Sequence, residues 1–194
     1  MRVARQLSLF GAEAAPPVPA DLEGLLAGPG QVVRMGGTAR VSVVVDQPWR
    51  ARVLRDEIGT RGLGVTCVST VEDHIGVRTA YTAALAPLAV AWLRGAVKVP
   101  PQGFCLDGRR LRLWSAAAGT LEELDFTLGL GANDEPAWPA VGAALAAIGL
   151  AAALLSSRAG GPAYRISGRR RIARLAELVG DPPAAAPEGS WPVV

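Results

Sequence analysis

Lysine is almost missing from this chain: the 20 basic side chains are arginines apart from Lys98, and His74 is the single histidine. An arginine bias of this kind also fits a high-GC genome, so it says little about function. The two cysteines, Cys67 and Cys105, are too few for a disulfide framework. Neither has CxxC spacing or a histidine cluster nearby, which excludes the common zinc patterns and points to a reduced, cytosolic setting. Phosphate-loop signals are missing too. The glycine-rich runs at 59–64 and 129–134 contain no lysine and do not join a strand to a helix, so they read as turns. No apolar run has the length and flanks of a membrane span, and the N-terminus lacks a signal-peptide core. Residues 140–155 are the most apolar, but Gly142 and Gly149 interrupt them and Ser156, Ser157 and Arg158 end them. They read as a buried helix followed by a strand.

Half of the 194 residues are apolar and 19% are charged, enough for a substantial core. A net charge of +3 permits an anionic partner such as DNA without requiring one. Residues 1–19 read as a flexible tail ending in a Pro/Ala linker, GAEAAPPVP, which does not favour regular hydrogen-bonded structure. Ahead of that linker stand Gln6, Leu7, Ser8, Leu9 and Phe10. The pentapeptide resembles the motif by which bacterial polymerases and repair proteins dock on the DNA sliding clamp. That resemblance implies that Leu7, Leu9 and Phe10 enter an apolar pocket while the Gln6 amide satisfies its rim. The alternative is that Leu9 and Phe10 fold back onto the domain.

From residue 20 onward the chain reads as α+β. A short apolar helix over 21–31 leads into a hairpin turned at Gly36-Gly37, with β-branched alternation in its second strand. Pro48 then opens a helix over 49–61 with Val53, Leu54 and Ile58 inward. A second hairpin turns at residues 72–74. Leu88, Ala89, Trp92, Leu93 and Ala96 recur at helical spacing, so residues 88–97 read as the helix that opens a second half. After it, residues 103–116 read as a hairpin turned at Asp107-Gly108. Residues 120–131 read as partly helical, and Glu122, Glu123 and Asp125 as a solvated helical face. A long apolar helix, a hairpin around Gly160-Gly161 and an amphipathic helix with Ile172, Leu175, Leu178 and Val179 inward complete the chain. The expected organisation is two pseudo-symmetric halves, 20–87 and 88–183, between the tail at 1–19 and a second tail at 184–194.

This α-β-β-α-β-β-α order, with a signature helix opening each half, resembles the LAGLIDADG homing endonuclease fold. The run AWLRGA at 91–96, with LAAIGL at 145–150 and YRISG at 164–168, is similar to the WhiA family of regulators built on that fold. The resemblance implies two central helices packed together and two sheets forming a saddle over DNA. It also implies divalent metals held by an acidic residue at the base of each signature helix. On this reading those bases are residues 28–30 and 98–100, which contain no carboxylate, and Glu23 lies too early to substitute. The expectation is therefore a chain with no catalytic residues, no metal and no cofactor. The helix-turn-helix domain of WhiA has no counterpart in this sequence.

In such a saddle, Arg109, Arg110 and Arg112, placed in or beside a strand, and Arg40 in the first sheet would face DNA. Arg169, Arg170 and Arg171 open the last helix, where cations oppose the helix dipole, and phosphate contact would explain them. Ordinary solvated arginines remain the alternative. His74 reads as a solvated turn residue. Two functions follow: a non-catalytic accessory protein of replication or repair, tethered to the sliding clamp and touching double-stranded DNA in the nucleoid, or a WhiA-related transcriptional regulator without clamp binding.

Overall fold

The computed structural model describes residues 11–70, 73–123, 125–156, 158 and 161–193. The pentapeptide at 6–10 lies outside them. A 3-10 turn, Pro19–Leu22, runs into helix α1, Glu23–Ala27. Strands β1, Gln31–Met35, and β2, Thr38–Val45, form a hairpin across Gly36, whose φ of 59° suits glycine. Helix α2, Pro48–Gly59, has proline at its first position, where a missing N–H costs nothing. Strands β3, Val65–Ser69, and β4, Ile75–Thr79, follow, and then a Thr82-capped turn leads into helix α3, Ala86–Trp92. A small hairpin, β5 (Leu93–Arg94) with β6 (Val97–Lys98), leads out of this repeat.

The second repeat consists of helix α4, Gly108–Ala118, strands β7, Gly119–Glu122, and β8, Asp125–Gly129, and helix α5, Trp138–Ala147. Strands β9, Ala153–Leu155, and β10, Ala163–Ser167, and helix α6, Arg169–Val179, complete it. The two four-stranded sheets have orders β1-β2-β4-β3 and β7-β8-β10-β9, with antiparallel neighbours throughout. This is the same topology used twice. Each sheet turns one face to the helices: Ala39, Val41, Val43 and Val45 of β2 in the first, and Phe126, Leu128 and Ile166 in the second, are all buried.

The central partner of α1 is α4, and not a helix over 88–97. Helix α3 stops at Trp92, Gly95 takes a φ of 65° in the small hairpin, and α3 closes the first repeat as α6 closes the second. The Asp107-Gly108 pair starts a helix and does not turn a hairpin. The Asp107 carboxylate accepts a hydrogen bond from the Arg110 backbone N–H at 2.9 Å, satisfying a free donor of the first turn. Gly108 is needed there because an added Cβ would lie 2.2 Å from the Leu178 carbonyl oxygen and 2.4 Å from the Ala12 nitrogen. Leu111, Leu113, Trp114, Ala116 and Ala117 are all buried, so a helix packed on several sides has no clean period. Glu122 and Asp125 pair across the β7–β8 hairpin, which corrects the helical reading of that stretch.

The two central helices touch almost backbone to backbone. A Cβ on Gly24 would lie 2.0 Å from the Arg110 carbonyl oxygen. Around this contact runs a chain of alternating charges. Asp21, 1% exposed, accepts from Arg61 Nε at 3.1 Å and from Arg109 Nε at 3.2 Å. Arg110 pairs with Glu23 at 2.8 Å and with Asp107. Arg112 donates to Glu57 and, at 2.8 Å, to the Val179 carbonyl at the end of α6. Arg109, Arg110 and Arg112 therefore lie on a helix and are engaged within the helical layer, a correction to their expected place on a strand face.

The flanking segments join this layer. The Ala12 N–H donates to the Leu178 carbonyl at 2.8 Å, and Arg109 donates to the Pro16 carbonyl at 3.3 Å. Trp191, 2% exposed, donates to the Gly180 carbonyl at 3.1 Å beneath the Arg112 guanidinium. Ala12 at one end and Trp191 at the other are thus tied to the helical layer, while residues 13–17, between Ala12 and the first helices, are exposed.

Three outcomes follow for stability. Gly24→Val forces the central helices apart and should cost about 1–3 kcal/mol or more by chemical denaturation. Gly59→Ala, with nothing within 4 Å of the added methyl, should be neutral or stabilising. For Glu57, burial pushes the carboxyl up, but its hydrogen bonds and charge pairing with Arg112 and Arg61 outweigh that and hold it below its ordinary 4.5. A depressed folded pKa gives stability that is full above the unfolded value and lost as pH falls through the folded one. Glu57→Gln should therefore destabilise by about 1–3 kcal/mol at pH 7. Its difference from the parent should shrink as unfolding is measured from pH 5 downward.

Candidate nucleic-acid interface

Side chains alternate along β-strands, so the faces turned away from the helices can be read from the register. On the first sheet that face carries Val33 opposite Arg40, Ser42 opposite Arg78, and Thr66 opposite Arg78 on the other side. Val33, Val44 and Val68 are exposed there. Arg40 is half-buried, its guanidinium 4.7 Å from the Tyr81 ring centroid. Arg78 is exposed and has no ion pair among the described residues. The second sheet is charged differently. Its open face carries Thr120 opposite Thr127, which in turn faces Arg165, and Glu122 opposite Asp125. Arg165 lies 3.8 Å from Asp125, so its charge is partly answered within the sheet.

Arg169, Arg170 and Arg171 occupy the first turn of α6 as the sequence implies, after Gly168 with a φ of 96°. All three are exposed, and with Arg174 they line a cavity beside Ser167 and Gly149. None of the three is ion-paired among the described residues. The structure thus leaves the α6 arginines exposed and Arg40 half-buried at the sheet face, pairs the α4 arginines with carboxylates, and adds exposed Arg78. Arg78 was recoverable from the alternation in GVRTAY, where it stands between Val77 and Thr79, both buried.

The C-terminal ends of α1 and α4 form the second feature. At α1, Lys98 Nζ, 4% exposed as a residue, donates to the carbonyls of Gly28 at 2.8 Å and Gly30 at 2.7 Å. It also pairs with Asp134 Oδ2 at 2.7 Å. Burial lowers the Lys98 pKa and Asp134 opposes that shift. At α4, the Arg50 guanidinium donates to the carbonyls of Ser115 at 3.4 Å, Ala116 at 3.1 Å and Gly119 at 2.6 Å. Its Nε lies 3.2 Å from Asp46 Oδ1, close enough for charge attraction although not aligned as a hydrogen bond. Burial lowers the Arg50 pKa, and Asp46 opposes this too. Beside Arg50 lies a cavity of about 390 Å³ lined also by Pro29, Asp46, His74 and Thr120. His74 is half-buried against it and is not a free turn residue.

These helix ends can be compared with the metal sites that the resemblance implies. Helix α4 ends in Ala116, Ala117 and Ala118, and α1 in Ala27 and Gly28, so neither terminus supplies a carboxylate. The nearby Asp134 and Asp46 each face a cation instead. Among the described residues no three His, Cys, Asp or Glu side chains converge. With Lys98 and Arg50 in place, the residues at these ends do not fit a divalent ion.

No protein-family model and no curated protein matches the sequence. Among solved structures, the chain is similar to the homing endonuclease I-WcaI bound to its DNA recognition sequence, with 10% identity, a TM-score of 0.58, and coverage of 82% of this chain and 79% of that one. It is also similar to I-DmoI in complex with DNA and Mn, at 16% identity and a TM-score of 0.45, over 84% of this chain and 96% of that one. The expectation of a chain without catalytic activity is corrected here. It took residues 98–100 as the base of the second signature helix, which ends at Ala118, and the structures that share the fold are homing endonucleases, which are enzymes. The chain has the α+β fold of the LAGLIDADG homing endonucleases, with two repeats packed through α1 and α4.

Proposed function

We propose that this chain binds double-stranded DNA across the open faces of its two sheets, with the first sheet making the stronger electrostatic contact. The observation that carries this reading is the sorting of its arginines. Those on α4 are tied to Asp21, Glu23 and Glu57, whereas Arg78 and Arg169–Arg171 are exposed and Arg40 is half-buried beside Tyr81, all without a carboxylate partner among the described residues. Exposed cations beside a face that also presents Ser42, Thr66 and valines suit phosphate contacts flanking groove contacts. The DNA-bound I-WcaI structure shares this architecture, which supports the reading.

The proposal extends to the N-terminus, where Gln6, Leu7, Ser8, Leu9 and Phe10 dock on the bacterial sliding clamp. Residues 11–12 sit against Gly108 at the first turn of α4, and the candidate DNA side includes the other end of that helix. Eleven helical residues separate the two ends by roughly 15 Å. The clamp motif thus joins the described chain at the end of α4 remote from the sheets' proposed DNA contact. A few buried apolar anchors, less the cost of ordering the peptide, give binding of around micromolar strength, suited to reversible tethering.

Duplex binding followed by fluorescence anisotropy over a salt series tests the first part. Arg40→Ala with Arg78→Ala should weaken binding and flatten the plot of log affinity against log salt by about 0.9 for each phosphate that is no longer neutralised. An unchanged affinity and slope would remove the sheet face from the account. For the second part, Leu9→Ala with Phe10→Ala should abolish clamp binding in a pull-down and leave the DNA isotherm unchanged. If that variant binds the clamp like the parent, the motif is a coincidence and the WhiA-like regulator becomes the better reading.

A further inference from the structure

The ends of the two central helices pose an electrostatic problem whatever ligand the sheets hold. Helix C-termini carry free carbonyls and a partial negative charge, and here two of them are brought side by side in the protein interior. Three oxygens converge at 2.7–2.8 Å on Lys98 Nζ: the carbonyls of Gly28 and Gly30 and one carboxylate oxygen of Asp134. Gln31 Nε2 holds that same carboxylate oxygen at 3.1 Å. All-oxygen coordination with one carboxylate is also what hard divalent cations take. The ammonium is therefore seated in a small oxygen cage. At α4 the Arg50 guanidinium spans three carbonyls and lies beside Asp46, the aspartate that follows the second strand of the first repeat, as Asp134 follows that of the second.

We propose that both central-helix ends are cation sites filled from within the chain, Lys98 at α1 and Arg50 at α4. Each resident cation supplies the positive charge that the paired helix ends require. The α1 site has the sharper geometry, because a compact ammonium occupies the centre of the cage and its removal leaves Gly28, Gly30 and Asp134 oxygens facing one another. Lys98, the single lysine of the chain, is thereby assigned a role for which arginine is the wrong shape: a point charge with three donors, matched to three acceptors. Neither DNA binding nor clamp binding enters into this assignment.

Replacement of Lys98 with exchange of the cation tests it. Thermal unfolding of the parent should be the same in EDTA, millimolar Mg²⁺ and millimolar Ca²⁺, because the cage is already filled. Lys98→Ala should melt several degrees lower in EDTA and regain part of that loss with Ca²⁺ or Mg²⁺, in a concentration-dependent way. Mn²⁺ should enhance water proton relaxation when added to Lys98→Ala, and should do so neither with the parent nor with Lys98→Ala/Asp134→Ala. Should the alanine variant fail to fold, Lys98→Met keeps the packed stem, removes the charge and is read in the same way. A parent stabilised by divalent ions, or a folded Lys98 variant to which none of these ions binds, overturns the proposal.

Discussion

The contact between Gly24 of α1 and the backbone of Arg110 on α4 is the constraint on which the rest depends. Only a residue without a side chain allows the two helices to approach so closely, and that approach fixes where each repeat places its sheet. It also sets two helix C-termini next to each other in a buried region. Their carbonyls then need donors that solvent does not supply. Lys98 and Arg50, from the first repeat and the segment that follows it, meet that need. The helix pairing and the internal cations are two aspects of one packing arrangement.

The same pairing explains why an arginine-rich surface is not uniformly a nucleic-acid surface. On the helical side, Arg61, Arg109, Arg110 and Arg112 interlock with Asp21, Glu23, Glu57 and Asp107. Breaking the buried Arg61–Asp21 pair by removing one partner should cost about 3–5 kcal/mol, and Arg109, Arg110 and Arg112 are each held by a carboxylate of the same layer. Arg112 also reaches the carbonyls that end α6 and the ring of Trp191, tying the C-terminal segment to the core. Among the arginines without a carboxylate partner in the described residues, Arg40 and Arg78 share the open sheet face and Arg169–Arg171 cluster at the start of α6, while Arg34, Arg52 and Arg94 are scattered singly. Charge available to an anionic partner is thus a matter of which positions lack a carboxylate neighbour.

Much of this architecture is legible in the residues. Alternating β-branched positions mark β2, Gly36-Gly37 marks its hairpin, and Pro48 marks the start of α2. Apolar spacing places α5 and α6. The second central helix is not legible, for physical reasons. Asp-Gly suits both a tight turn and an N-cap, and a helix buried on several sides loses the 3.6-residue period that identifies an amphipathic one. The run LAVAWLRGAV has that period, but Gly95 and the β5–β6 hairpin cut its helix short. Reading α4 as a strand puts its arginines on a sheet face that does not exist. Lys98 stands out in the sequence only as the single lysine, because nothing in the linear order places it beside Gly28 and Gly30.

Hydrogen exchange of the parent protein, measured by mass spectrometry with and without duplex DNA, tests the central claim most directly, because it reports every element at once. The account predicts slower exchange in β1 to β4, with further protection at the first turn of α6. It predicts no change at the start of α4, where Arg109 and Arg112 are already paired and Ala12 is hydrogen-bonded to Leu178. Protection confined to the α4 and α2 side, with the open sheet faces unaffected, would contradict it.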